Sequence, residues 1–500
     1  MKSLISNKSV WFVTGSQHLY GRETLLKVED NARAMAARLD QNQKTPVRIE
    51  FRAVLTNSEA IEALCLEANA SKECAGLILW MHTFSPAQMW IRGLGVLNKP
   101  YLHLHTQFNR DIPWTDIDMD FMNLNQSAHG DREFGFISSR MKAGRAVVVG
   151  HWEDPGVVGE LETWMRAALA WNMSRQLKVA RFGDNMRDVA VTEGNKVSAH
   201  MTLGWSVSGY GVGELVRLVN EVSEGELAFL LDEYRDAYKL DSQFLDDPLR
   251  RDKVLEAARI EWGLTRFLED GGFGAFTTTF EDLHGLKQLP GLAVQRLMEK
   301  GYGFGAEGDW KTAALVHLMK MMATGLPGGT SFMEDYTYHL HPDGMQVLGA
   351  HMLEVCPSIA SNTPSLEVHP LSIGGKDDPA RLVFSAREGK ALNATLLDMG
   401  DRFRLLVNTV EAVPCPDLPN LPVARALWAP DPGLKVAAAA WILAGGAHHT
   451  GFTYALDPAH LAHFAEMAGI EFLLIGKDTR LHDFKNELRW NELYYKLAKF

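Results

Sequence analysis

Five hundred residues, at roughly 100–200 per domain, imply about three domains rather than one small module. Apolar residues at 46% and charged residues at 22% describe a globular chain with a large core, and exclude disorder, collagen, coiled coil and disulfide scaffolds. Asp and Glu number 62 against 50 Lys and Arg, a formal net charge of −12; with no basic run, nucleic acid is disfavoured as a partner.

The start, MKSLISNKSVWFVTG, has too short an apolar stretch for a secretory signal and reads as a first strand. The longest apolar run, Val436 to Ala447, falls well short of the ~20 residues that span a bilayer. No membrane association is expected. Cys65, Cys74, Cys356 and Cys415 are scattered without a CxxC, which suits reduced thiols of a cytoplasmic protein.

In chain order, Trp11 to Gly15 is a short apolar strand closed by Gly. Leu25, Val28, Ala32, Met35, Ala36 and Leu39 then form the stripe of an amphipathic helix. Val47, Ile49 and Phe51 alternate as a strand, and Thr56 with Glu59 makes a capping box opening a helix over roughly 57–70. GLILW (76–80) is a strand, Ser85-Pro86 reads as an N-cap with Pro at the first helical position, and YLHLH (101–105) and AVVVG (146–150) are further strands. Strands alternating with helices predict a parallel, doubly wound sheet. A second α/β unit begins near KVARFGD (178–184), after a helix at about 156–172. It carries helices around 212–236, 252–269 and 310–324, and Gly and Pro punctuation cuts it near 324–329. Eleven of the 20 prolines fall between Pro342 and Pro432, so the last part is expected to be β-rich, with helices at 458–468 and 486–498. The expected architecture is therefore two doubly wound, Rossmann-like α/β domains (1–175 and 176–327) and a β-rich, barrel-like C-terminal domain with a helical tail (328–500).

GYGVGEL (209–215) lacks the full dinucleotide pattern, and there is no Walker A, HExxH or G-x-S-x-G. The acidic and imidazole-bearing turns are more informative. Glu307 lies in FGAEGDW, a Gly-rich loop before a helix with Asp309 as N-cap. Glu334 and Asp335 lie in TSFMEDYTYH, whose β-character points them to opposite faces, so that one faces inward with a partner. His351 sits in strand-like VLGAHMLEV, where a core histidine would also fit. His448 and His449 end ILAGGAHHT, read as an apolar strand, and alternation lets only one of them face a given site. Two glutamates and two histidines form a mixed O/N set suited to octahedral Mn²⁺ or a similar ion, with positions left for substrate oxygens or water. They are too far apart in sequence for any spacing rule to join them.

Long motifs carry a resemblance. WFVTGSQHLYG, LWMHTFSPAQMWI, LHTQFN, DMDFMNLNQSAHGDREFGF, GFGAFTTTFEDLHGLKQLPGLAVQRLM, GGTSFMEDYTYH, GAHMLEVCPSIA, IGGKDDPARL and AWILAGGAHHT run along essentially the whole chain, which closely resembles the bacterial L-arabinose isomerase family. The departures are small: Ala306 before the glutamate, and an idiosyncratic loop at 360–372. The resemblance implies two α/β domains and a barrel-like one. It also implies one Mn²⁺ per subunit held by Glu307, Glu334, His351 and His449, and a sugar pocket with Gln17, Leu19, Met186, Phe280 and His448. A homohexamer is implied in which Gln126 and His129 reach a neighbouring subunit's site. Glu307 and Glu334 would act in catalysis, moving a proton between C1 and C2 of L-arabinose through a cis-enediol to give L-ribulose, the first step of L-arabinose catabolism. A hydride shift uses the same ligands. D-Galactose, alike at the reacting end, is a second candidate substrate. Another Mn²⁺-dependent ketol isomerase or sugar epimerase, and a non-catalytic sugar-binding protein, are the alternatives.

Overall fold

The computed structural model describes residues 7–41, 46–240, 247–371 and 374–497. Residues 1–6 of the start, 372 of the idiosyncratic loop and 498 of the terminal helix lie outside them. The chain divides into two compact units, Met1–Asn172 with Ala459–Ala468, and Met173–Pro458 with Gly469–Phe500.

In the first unit, β1 (Ser9–Gly15), β2 (Arg48–Leu55), β3 (Cys74–Trp80), β4 (Tyr101–His105) and β5 (Ala146–Val149) form a parallel sheet in the order β2-β1-β3-β4-β5. β1 and β3 are buried throughout, as a sheet covered on both faces requires. The helix Gly21–Asp40 buries Val28, Ala32, Met35, Ala36 and Leu39 of the stripe read from sequence, with Leu25 of its first turn only half-buried. Two expected helix starts differ. Asn57, not Thr56, caps Ser58–Ala70, its side chain accepting from the Ala60 N–H. No helix starts at Pro86. It precedes a single 3₁₀ turn, Ala87–Met89, before the helix Trp90–Val96, and the Ser85 hydroxyl accepts from the Trp90 indole at 3.0 Å. A side-chain partner has taken the serine that would have capped.

In the second unit, β6 (Lys178–Phe182), β7 (Ser206–Tyr210), β8 (Ala275–Thr278) and β9 (Gly303–Gly305) form a second parallel sheet in the order β7-β6-β8-β9. The helix expected at 212–236 is two, Val212–Glu221 and Glu224–Ala237, divided by a capping box between Ser223 and Glu226. The remainder is β10 (Thr330–His339), β11 (Gln346–Ala350), the short pair β12 (Ser365–Val368) and β13 (Ala380–Val383), then β14 (Gly389–Asp398), β15 (Phe403–Val413), β16 (Arg425–Pro430), β17 (His449–Thr453) and β18 (Glu471–Ile475). Strands β14-β17-β10-β11-β16-β15 run in that order, and β14 pairs with β15, closing a six-stranded barrel. β18 adds to β15 in parallel outside it. The two parallel sheets with flanking helices and the closed barrel are the predicted fold class. One local reading is overturned: residues of ILAGG end the helix Leu434–Leu443, and the strand begins only at His449. A run of Ala and Leu without period fits helix or strand, and four consecutive alanines favour the helix.

The helix Trp310–Met322 is buried almost throughout and packs against β8 and β9 of the sheet and against β10, β14 and β17 of the barrel. It ties the carboxyl edge of the second sheet to the barrel wall.

Candidate metal and sugar site

Glu307 follows β9 at the carboxyl edge of the second sheet, the edge where open α/β sheets receive ligands. The turn is tight: Glu307 has φ +58° and Gly308 φ +78°. A Cβ at 308 would come within 2.5 Å of the Asn185 Cα, so only glycine fits there. The Met186 N–H donates to the Glu307 carbonyl at 3.0 Å, holding the loop after β6 beside the loop after β9. Phe280, just beyond β8, packs half-buried on the second sheet's core.

The barrel supplies the rest. β10 lies between β11 and β17, with Glu334 opposite both Ala350 and His449. His351 directly follows β11, so one rung of the ladder brings Glu334, His351 and His449 together. The Phe332 ring lies 5.0 Å from each imidazole, an apolar floor beneath them. As alternation requires, Glu334 shares this face with Phe332. Asp335 turns the other way into a small cavity with Asn393 and Asn408, where its Oδ1 has no hydrogen-bond partner. Burial, reinforced by the Glu334 charge, pushes its carboxyl up to about 7. A bulge between Asp335 and Thr337 leaves Tyr336 exposed.

Each histidine ligand candidate is anchored by one nitrogen. His351 Nδ1 donates to Glu354 Oε2 at 2.5 Å, leaving Nε2 3.8 Å from Glu334 Oε2. His449 Nδ1 donates to Asp309 Oδ2 at 3.3 Å, leaving Nε2 3.9 Å from Glu307 Oε2. Carboxylates only accept, so both rings carry their proton on Nδ1 and present the Nε2 lone pair to the other carboxylates. His449 is wholly buried, and its Nε2 has no hydrogen-bond partner. Ligand atoms of Glu307, His351 and His449 all lie within 4.8 Å of one another. An orphaned buried lone pair facing a carboxylate fits a divalent cation. Asp309 also caps the helix Trp310–Met322 as predicted, accepting from the Thr312 N–H at 3.1 Å, and pairs with buried Lys311 at 3.2 Å.

His448 does not turn away. Its Nε2 is 3.5 Å from the same Glu307 Oε2, and its ring centroid is 4.2 Å from that of His449. Alternation fails because His448 belongs to the turn before β17, not to the strand. The charges interlock. Burial opposes ionisation of Glu307, but the His448 hydrogen bond and the neighbouring imidazoles outweigh it and hold the carboxyl below its ordinary range. Burial raises that of Glu334 despite His351 and His448. Burial lowers His449 against the pull of Asp309, whereas at His351 burial is overcome by Glu354 and the pKa rises.

The remaining sugar-pocket candidates lie in the first unit, at the carboxyl edge of its sheet. Gln17 follows β1 and precedes the 3₁₀ turn His18–Tyr20, where Leu19 is 83% exposed. The Gln126 N–H donates to the carbonyl of His82, just after β3, and its Oε1 accepts from the Tyr20 hydroxyl at 3.4 Å. Exposed His129 sits with its ring 4.4 Å from Phe84. Sequence reasoning missed Asp309 and Glu354 as partners of the imidazoles. H-x-x-E at 351–354 and E-G-D at 307–309 were the available signals.

Family models for the L-arabinose isomerase N-terminal, central and C-terminal domains match residues 4–176, 178–325 and 329–471. The chain belongs to the L-arabinose isomerase family. It is 63% identical over 487 residues to the L-arabinose isomerase of Geobacillus stearothermophilus, covering 97% of this chain and 98% of that one. It is 62% identical over 491 residues to that of Herpetosiphon aurantiacus, covering 98% of each.

Proposed function

We propose that this chain converts L-arabinose to L-ribulose, with D-galactose as a second substrate, as a cytoplasmic homohexamer that opens L-arabinose catabolism. The observation that carries the reading is the cluster itself: two imidazoles, pinned through Nδ1, turn their Nε2 lone pairs toward Glu307 and Glu334. Full-length identity above 60% to proteins named L-arabinose isomerase supports L-arabinose as the substrate. Glu307, Glu334, His351 and His449 would hold one Mn²⁺, which hard carboxylate oxygens mixed with imidazole suit. When bound, the ion supplies electrostatic stabilisation to charge developing on two neighbouring sugar oxygens.

This chain's groups do the rest. One carboxylate of the Glu307–Glu334 pair takes the C2 proton and returns it at C1, through a cis-enediol, and the other serves the hydroxyl proton. Such acid–base help gives roughly 10²–10⁴-fold. His448, hydrogen-bonded to Glu307 and partly open to solvent, holds a sugar hydroxyl and keeps Glu307 ionised. Phe332 excludes water beneath the imidazoles. Met186 and Phe280 line the sugar from the second sheet, Gln17 and Leu19 are further sugar contacts, and Gln126 and His129 serve a neighbouring subunit's site. Three domains, 1–175, 176–327 and 328–500, carry these parts, and the family-model matches support those bounds.

The experiment is an assay of purified protein with Mn²⁺ against a panel of aldoses. Turnover of L-arabinose, abolished by exhaustive EDTA dialysis and restored by Mn²⁺, is the expected result. Full activity with metal content at zero would remove the metal reading, and turnover of other aldoses with none of L-arabinose would remove the substrate.

A further inference from the structure

The second sheet has its topological switch point between β6 and β8: the chain leaves β6 for β7 on one side and β8 for β9 on the other. Open α/β sheets bind ligands in the crevice outside the carboxyl ends of such a pair. That crevice lies between the loop 183–189 after β6, which bears Met186, and the turn after β8, which bears Phe280. The loop contains no helix or strand, so its shape depends on side-chain support. The support comes from two consecutive carboxylates, Glu281 and Asp282, directly after Phe280. The isomerase reading gives them no part.

Asp282 Oδ2 accepts from the Asp184 N–H at 3.0 Å, and Glu281 Oε2 accepts from the Arg187 N–H at 3.0 Å. The Arg187 side chain then reaches back over both acids: Nη1 lies 2.9 Å from Glu281 Oε2, and Nη2 donates to Asp282 Oδ1 at 2.8 Å. One guanidinium thus balances two neighbouring carboxylates that would otherwise repel each other. The clamped loop uses left-handed backbone at Gly183 (φ +82°) and at Asp188 (φ +65°), the second uncommon outside glycine. A Cβ at 183 would come within 2.8 Å of the Asp282 Cβ, so glycine lets the turn after β8 close onto the loop. Met186 therefore stands between two held amides, at 184 and 187, with its own N–H on the Glu307 carbonyl. The backbone bonds carry the clamp. The Arg187 side chain is 65% exposed, and ion pairs so placed contribute little.

We propose that Glu281 is a positioning and specificity-determining residue: by holding the Arg187 amide it sets the separation of Met186 and Phe280, and with it the size of aldose that fits between them. The inference rests on the isomerase reading, in which those two side chains line the sugar. Glu281 itself touches neither sugar nor metal and acts through its neighbours. An apolar gap of fixed width discriminates by size, at roughly 10-fold or more for one carbon. D-Galactose carries one hydroxymethyl group more than L-arabinose, so the clamp favours the smaller sugar.

The test is steady-state kinetics of the intact, Mn²⁺-loaded protein on L-arabinose and D-galactose, beside calorimetric Mn²⁺ titration and thermal unfolding. Glu281→Ala strands the Arg187 N–H and frees the loop. Its KM for L-arabinose should rise at least ~5-fold while kcat stays within about twofold. The ratio of kcat/KM for L-arabinose to that for D-galactose should fall at least ~3-fold, and Mn²⁺ affinity should not change. Glu281→Gln keeps an oxygen for the same N–H and should recover most of both effects. A merely structural role gives another pattern: a lower Tm and a lower kcat, with KM and the sugar ratio unmoved. That pattern, an unmoved KM, an unmoved ratio, or Glu281→Gln as impaired as Glu281→Ala overturns the proposal and leaves the isomerase reading standing. A wild type that does not turn over L-arabinose removes both.

Discussion

Replacing Asp309 with Asn separates two jobs that one carboxylate performs. Asn is as good an N-cap as Asp, so the Thr312 N–H keeps its acceptor and the helix Trp310–Met322 keeps its start. The charge is lost. His449 Nδ1 then faces an amide that can offer an N–H, which favours the tautomer protonated on Nε2, and that tautomer has no lone pair for a cation. Loss of such an orienting partner costs 10–100-fold in metal affinity, about 1.4–2.7 kcal/mol. Buried Lys311 meanwhile loses its counter-charge, a loss usually worth ~3–5 kcal/mol of stability. Its ammonium keeps the Thr192 and Glu193 carbonyls at 2.8 and 2.6 Å, which places the cost near the low end, about 3 kcal/mol. The two effects come apart in Asp309→Asn/Lys311→Met: removing the stranded cation restores most of the stability and none of the metal affinity. Urea unfolding of the metal-free protein reads the first, and calorimetric Mn²⁺ titration reads the second. If Asp309→Asn binds Mn²⁺ as tightly as the wild type, the tautomer argument is wrong. If the double variant recovers affinity along with stability, the metal loss was only a symptom of disordered packing.

His449→Ala should abolish tight Mn²⁺ binding, whereas His448→Ala should keep the metal and lose mainly kcat/KM for the sugar; equal metal loss in calorimetry would erase the distinction between the two imidazoles. Glu334→Gln keeps shape but not charge, and kcat should fall by at least ~10²-fold in a steady-state assay. His105 donates Nδ1–H to buried Asp131 at 2.6 Å, and that bond raises its pKa over the opposing effect of burial. The raised pKa means a stabilising contribution that is full below the unfolded value of about 6.5 and is lost as pH climbs through the folded one. The stability gap between wild type and His105→Gln, measured by urea unfolding, should therefore be larger at pH 6 than at pH 9, and a gap that widens with pH would reverse the assignment. Mixing inactive His129→Ala with inactive Glu307→Ala protein under subunit exchange should regenerate activity, because hybrid interfaces contain intact sites; no recovery from verified mixed oligomers means each subunit builds its own.

What could be read from sequence tracks how local its cause is. The helix Gly21–Asp40 announces itself because five buried side chains recur at helical spacing, and β3 because an apolar run of strand length ends at a turn. Asp309 as an N-cap is equally local: its acceptor meets an N–H three residues on. The same carboxylate's bond to His449 spans 140 residues, and no pattern in the chain encodes it. ILAGG misleads because an apolar run without period carries no secondary-structure information beyond its composition, and the error moves the start of β17 and, with it, the direction of His448. The cluster depends on register in the same way. Glu334 meets His351 and His449 only because β10 is seated between β11 and β17 with residue 334 opposite 350 and 449. A slip of one residue would present Asp335 in its place. That makes the barrel ladder, rather than any one ligand, the element that sets the spacing of the donors. Glu307 then completes the set from the sheet side through a turn that only glycine at 308 permits. The helix Trp310–Met322, packed on both sheet and barrel, keeps the two halves of the cluster in register, so a change that loosens it should weaken metal affinity without touching a ligand.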